Sequence, residues 1–189
     1  DELPDEFADV HTEVHNPTDR KLLSYLGALN DGRRVYMNRT VIDADQIVVL
    51  TGRGYHAQLG YAGCEGGLYP SLSDAETRLA LSQKFSTRVP SPMPDGVRAE
   101  AVEIAGLLSS TIFIQVIEGA GDTIVQVCAG LQASGPDGVR LQDGRWRFTI
   151  DAPVDLVLAG VGGDPHRQDF TALARAAAAA MRVVNPGGC

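Results

Sequence analysis

Lysine is almost missing from this chain. Of 189 residues only Lys21 and Lys84 are lysines, against fourteen arginines, so any chemistry that needs a covalent lysine has two candidates. Positive charge as a whole is outweighed, and the formal net charge is −8. An acidic chain of this size repels phosphate backbones, and no basic stripe with interleaved aromatics is present, which argues against a nucleic-acid partner. Long apolar runs are lacking too. The longest, Ala101 to Ile117, is broken by Glu103, Ser109, Ser110 and Gln115, so no membrane span is expected. No charged-then-apolar leader opens the sequence. The cysteines, Cys64, Cys128 and Cys189, are odd in number and far apart. They fit a reducing compartment rather than a disulfide scaffold, and a cytoplasmic location is expected.

What is present is ordinary for a globular protein, with 44% hydrophobic and 21% charged residues. The length suits one domain with a sizeable core, or one domain and part of a second. Residues 9–15 alternate as a strand does. Asn16 to Asp19 and Asn30-Asp31-Gly32 mark turns. Arg34 to Asn38 reads as a strand and Asn38 to Asp45 as a helical turn. Gln46 to Leu50 is a short apolar run of the kind buried on both faces of a parallel sheet. Asp74 to Gln83 and Val97 to Leu108 read as helices, Thr111 to Glu118 and Ile124 to Ala129 as strands. Residues 88–94 form a proline-rich connector. Pro136-Asp137-Gly138 and Asp143-Gly144 read as turns flanking a hairpin of Val139–Leu141 and Trp146–Ile150. Asp155 to Gly160 repeats the buried-strand pattern, and an alanine-rich helix from Phe170 to Arg182 ends at Asn185-Pro186-Gly187-Gly188. Strands alternating with helices place the chain in the α/β class.

Several residue groups could carry chemistry. His11, Glu13 and His15 would share one face of a strand, which suits either metal ligation or a half-exposed polar edge. His56 follows the apolar run of residues 46–50 and precedes a glycine-rich segment. It reads as a general acid or base near neutral pH, or as a loop histidine held by backbone. Gly60 to Gly67 could cradle a phosphate on backbone N–H groups, or simply turn tightly. It is neither Gly-Lys-Ser/Thr nor Gly-x-Gly-x-x-Gly. Gly162-Gly163-Asp164-Pro165, ahead of a helix, is a second candidate anion site. Arg175 within that helix could hold a carboxylate or lie in solvent. Cys64 has no basic neighbour in sequence that would activate it.

Taken in order, these pieces resemble a known family. His15-Asn16-Pro17, Tyr25-Leu26-Gly27, Gly32 with Val35-Tyr36-Met37-Asn38, Ala44-Asp45, and His56 with Gly60-Tyr61-Ala62-Gly63 follow the pattern of the nickel-dependent lactate racemases. Asp155 to Leu158, Gly162-Gly163 with Pro165, and Asn185 to Gly188 resemble that family's later motifs. The resemblance implies two α/β domains with a cleft between them. Residues 1–148 would be the N-terminal domain, with its own N-terminal part absent, and 149–189 the start of a second domain that is only partly represented. It implies a nickel-pincer mononucleotide as cofactor and an isomerase, a racemase or epimerase of 2-hydroxy acids. His56 would be one acid/base histidine. Gly60, Tyr61, Gly63, Gly66 and Gly67 would bind cofactor, and Arg175 would bind substrate.

The departures from the family are as informative. The cofactor-linking lysine would fall at Gly66, and neither Lys21 nor Lys84 can fill that place by a small shift of alignment. The nickel-binding histidine would fall near Ser82 or Gln83, and a hydrogen-bonding contact at Ala172. The expected function is thus a lactate racemase-like isomerase with covalent cofactor attachment lost. The alternatives are a non-racemase paralogue that binds a nucleotide or small organic anion in the same cleft, and a structural or assembly subunit without ligand. The expected partner in the first two is a small-molecule hydroxy acid or nucleotide.

Overall fold

The computed structural model describes residues 4–56, 58–84, 86, 88–121, 123–131, 135–161 and 170–189, and two sheets form within them. The smaller is a hairpin of β1 (Leu23–Ala28) and β2 (Arg34–Asn38), antiparallel. Its turn is built by Asp31, whose carboxylate accepts the Arg33 N–H at 2.9 Å, and by Gly32 at φ +84°, a left-handed conformation that favours glycine. Asn38 then caps α1 (Arg39–Asp43), its side chain accepting the Val41 N–H.

The larger sheet is mixed, in the order β4-β3-β5-β6. Its spine is β3 (Gln46–His56), parallel to β5 (Ser110–Glu118) and antiparallel to the short β4 (Gly60–Ala62). The outer strand β6 (Ile124–Gly130) is antiparallel to β5. The crossover from β3 to β5 carries α2 (Ala75–Ser82) and α3 (Gly96–Ala105). Asp74 caps α2, accepting the Thr77 N–H at 2.9 Å and the Thr77 hydroxyl at 2.8 Å. The core lies between this sheet, the hairpin and the crossover helices. Met37, Val49, Leu81, Ala101, Ile104 and Phe113 meet there with almost no exposure. Among the described residues no helix is long and apolar enough to cross a membrane.

Four expectations fail, each for a physical reason. Residues 9–15 are not a strand. Their side chains are tied instead: Glu13 accepts from Asn38 and Thr40, and the His15 ring pairs with the Ser73 carbonyl at 2.9 Å. The run 46–50 belongs to a longer strand buried on one face only, since Val48 is 60% and Leu50 69% exposed. The helical layer covers only the face that carries Ile47 and Val49.

The expected hairpin after Pro136 is a helix, α4 (Gly135–Trp146). Pro136 sits in its first turn, where a missing N–H costs nothing. Gly138 is there because a Cβ would lie 2.5 Å from Gln115 Oε1 on β5, so the glycine reports a close approach rather than a turn. Asp155–Gly160 makes no strand either. An apolar run needs a neighbour to pair with. Here Val154 meets Val184 in one isolated bridge, while Asp155 and Val157 exchange backbone hydrogen bonds with Cys189. The boundary expected at 148/149 falls in the irregular stretch after α4. The alanine-rich helix forms as α5 (Phe170–Met181).

Candidate anion-binding cleft

β3 ends at His56, and the hairpin with β4 sets His56 opposite Gly60 and Tyr55 opposite Tyr61. The backbone N–H groups of Gln58 and Leu59 both donate to His56 Nδ1, at 3.2 Å each. With Nδ1 held as a double acceptor, the proton of the neutral ring sits on Nε2. Burial, with the Arg175 charge adding to it, pushes the imidazole below its ordinary value. Protonation at Nδ1 would also break both backbone bonds. His56 is therefore a neutral hydrogen-bond donor through Nε2.

The hairpin is clamped from α4. Asp143 accepts from the hydroxyls of Tyr55 (3.0 Å) and Tyr61 (2.8 Å) and pairs with Arg147 at 3.0 Å. The two rings lie 5.5 Å apart, and the Arg98 guanidinium lies over Tyr61 at 5.3 Å. Burial and the Asp143 carboxylate push the Tyr61 hydroxyl up to about 12.

The glycine-rich segment packs inward. The Cys64 N–H donates to Thr51 Oγ1 (3.1 Å) and the Gly66 N–H to the Gly63 carbonyl (3.2 Å). These two groups are committed within the fold. Gly63 has φ +88°, and a Cβ there would stand 2.8 Å from the Gly52 carbonyl oxygen. A Cβ at Gly67 would meet Thr51 Cγ2 at 2.5 Å. Both glycines let this segment lie against β3. Cys64 is buried, and burial together with the neighbouring Glu65 raises its thiol well above the usual range, so it stays protonated.

Two adjoining cavities open beside His56. The larger, about 530 Å³, is lined by His56, Gly60, Lys84, Arg88, Asp95 and Arg182 among others. The smaller, about 140 Å³, is lined by Tyr55, His56, Arg175 and Arg182 with Ala178 and Ala179. They share His56, Ser86, Pro90 and Arg182. Lys84, Arg88, Arg175 and Arg182 thus line the two cavities with one carboxylate, Asp95, in a chain whose net charge is negative, and Lys84 also pairs with Glu100 at 3.2 Å. The C-terminal end of α5 is drawn to the connector, where Arg182 Nη2 donates to the Arg88 carbonyl at 2.8 Å. A third cavity of about 510 Å³, by Tyr25 and Tyr36, sets Arg20 against Asp74 and Glu76 and has no such excess. The cleft at His56 is therefore the one suited to an anion.

Of the expected site residues, His56, Gly60 and Arg175 line these cavities, whereas Tyr61, Gly63, Gly66 and Gly67 do not. Residues 162–165, the second candidate anion site, lie outside the described residues. His11, Glu13 and His15 gather no metal site. Among the described residues no three His, Cys, Asp or Glu side chains are grouped to hold a metal ion. Lys84, Arg88 and Arg182 were missed as site residues by sequence reasoning. The signal available was the position of Lys84, one of two lysines, just ahead of the proline-rich connector.

Residues 4–85 match the model of the lactate racemase N-terminal domain family. In fold the chain is similar to the lactate racemase apoprotein from Thermoanaerobacterium thermosaccharolyticum, at 16% identity and TM-score 0.57, over 68% of this chain and 32% of that one. It is also similar to a crystal structure of a protein from Thermotoga maritima, at 14% identity and TM-score 0.55, over 75% of this chain and 41% of that one. The chain thus spans well under half the length of either. No curated protein sequence matches it.

Proposed function

We propose that the cleft beside His56 binds a 2-hydroxy acid as its carboxylate, a reading supported by the match of residues 4–85 to the lactate racemase N-terminal domain model and by the likeness in fold to part of a lactate racemase. The observation that carries this reading is the concentration of Lys84, Arg88, Arg175 and Arg182 around a neutral histidine. Arginine guanidinium forks receive the carboxylate, and His56 Nε2–H donates to the hydroxyl or to the carboxylate. The apolar wall supplied by Ala178, Ala179 and Pro90 receives the carbon chain.

The nickel-pincer mononucleotide implied by the family does not fit these residues. Gly66 offers no amine to link it, and a Cβ there would already press on Leu59 Cδ1 at 3.0 Å. Ser82 and Gln83 offer no imidazole to the metal. No step of isomerisation follows from this chain's side chains. The misfit favours the second reading, a lactate racemase-like paralogue that keeps the cleft for a small organic anion and has lost the racemase chemistry.

Two measurements test this. Thermal unfolding with L-lactate, D-lactate and the neutral amide of lactate should show stabilisation by the two acids only. Deuterium exchange at the 2-position, run with nickel-pincer cofactor added, should show none. Exchange above background would restore the isomerase reading. No stabilisation by either acid would remove the cleft as the binding site.

A further inference from the structure

The third cavity, of about 510 Å³ by Tyr25 and Tyr36, shares no lining residue with the two beside His56. Small-molecule sites span roughly 300–1,000 Å³, so its size suits a ligand. Three pieces of chain meet to build it. The hairpin supplies Tyr25 and Tyr36, directly opposite each other on β1 and β2. The 3-10 turn Arg20–Leu22, capped by Asp19, supplies Arg20. The start of α2 supplies Asp74 and Glu76. Backbone hydrogen bonds fasten these pieces together. The Asp74 N–H donates to the Tyr36 carbonyl at 3.2 Å, and the Ala75 N–H to the Pro17 carbonyl at 3.0 Å. The walls are thus in place before a ligand arrives, which lowers the cost of binding.

The charges of this cavity are divided, not clustered. Asp74 is committed to the α2 cap, where its two carboxylate oxygens accept from Thr77. Arg20 and Glu76 are exposed, and among the described residues neither makes an ion pair. One guanidinium and one carboxylate therefore line the same cavity without meeting. Beside them the tyrosine rings stand 5.6 Å apart, tilted by 58° and exposed. A cross-strand tyrosine pair steadies a hairpin by itself, but that role needs no charge of either sign next to it. The rings offer apolar area with negative faces, which suits an ammonium or another ring.

We propose that this cavity binds a free α-amino acid with an aromatic or large apolar side chain, as its zwitterion. The Arg20 guanidinium receives the carboxylate in a charge-assisted pair. Glu76 receives the ammonium, and the Asp74 charge adds to the attraction. The side chain lies on Tyr25, Tyr36 and Leu23. A carboxylate alone would meet Glu76 and Asp74, and an amine alone would meet Arg20. A ligand carrying both charges answers both ends. The site is separate from the cleft beside His56, so either can stand without the other.

Isothermal titration calorimetry on the whole chain tests this, with L-phenylalanine, its cationic amide, anionic N-acetyl-L-phenylalanine and glycine as probes. One phenylalanine should bind per chain, at least about tenfold more tightly than any of the other three. Arg20→Gln should bring phenylalanine and its amide to within about threefold of each other, and Glu76→Gln should do so for phenylalanine and its N-acetyl form. Both side chains are exposed, so thermal midpoints of these variants should stay within about 3 °C of wild type. Saturating L-lactate should leave phenylalanine affinity unchanged. Equal binding of the amide or of the N-acetyl form would overturn the zwitterion, and equal binding of glycine would overturn the role of the tyrosine wall. Displacement by lactate, or affinity untouched by both substitutions, would place the amino acid in the other cleft and overturn the site. Binding of none of the four would do the same.

Discussion

The glycine-rich segment 60–67 and the residues Lys84 and Arg88 at the start of the proline-rich connector neighbour the same histidine and do opposite work. The glycine segment has the sequence of a site and is a packed floor in the fold. The connector has the sequence of a linker and supplies cleft-lining cations. The difference lies in where each segment's polar groups are committed. In the glycine segment, the N–H groups of Cys64 and Gly66 are used internally, and Gly63 and Gly67 lie in close contact with β3. Lys84 and Arg88 instead line a cavity that Arg182 lines from the far end of the sequence. Glycine richness therefore reports close packing here, and charge clustering reports the site.

The sharpest way to break this comparison is at Gly63. Gly63→Ala forces a side chain into left-handed backbone and against the Gly52 carbonyl. It should cost about 3 kcal/mol, read as a lower urea midpoint with unchanged slope. A stable variant that had lost anion binding would instead make the glycine segment the site.

Asp143→Asn comes next. It weakens two tyrosine hydrogen bonds and removes the pair with Arg147, and should cost about 1–2 kcal/mol in the same measurement. If it also broadens the His56 signals in NMR spectra, the clamp on the hairpin orients the histidine as well as stabilising it.

The smallest effect is a slope. The folded-state value of His56 is depressed, so on acidification the unfolded chain takes up a proton that the native chain refuses. Stability from this group is complete above the unfolded value of about 6.5 and is lost as pH falls below it, down to the folded value. His56→Gln should flatten that part of the stability-versus-pH curve. Bound carboxylate should shift the wild-type curve the other way, because an anion favours the charged ring.

How much of this was legible in the sequence depended on how local each signal is. Asn38 and Asp74 mark helix starts because a cap is satisfied within three residues. Asp31-Gly32 marks its turn for the same reason. The strands β2, β5 and β6 were readable from alternation and apolar runs. α4 was not, because Pro136, Gly138 and Gly144 suggest turns, and only contact with Gln115 on β5 explains Gly138. The segment 155–160 has the composition of a buried strand but no strand beside it, which composition does not encode. Of the residues the family resemblance singles out, His56, Gly60 and Arg175 line the two cavities, and Tyr61, Gly63, Gly66 and Gly67 do not. The cation cluster joins Lys84 and Arg88 to Arg175 and Arg182, a juxtaposition that exists only after folding.

The burial of Cys64 makes the protein its own clock. Cys189 is exposed and Cys128 half-buried, so a thiol reagent meets those first. Cys64, shut between β3 and α4 and held as the thiol, reacts only in molecules whose sheet has momentarily opened. The rate at which that third sulfur is modified in native buffer counts those openings. Anything that seats in the cleft and steadies the β3–β4 hairpin will slow the count.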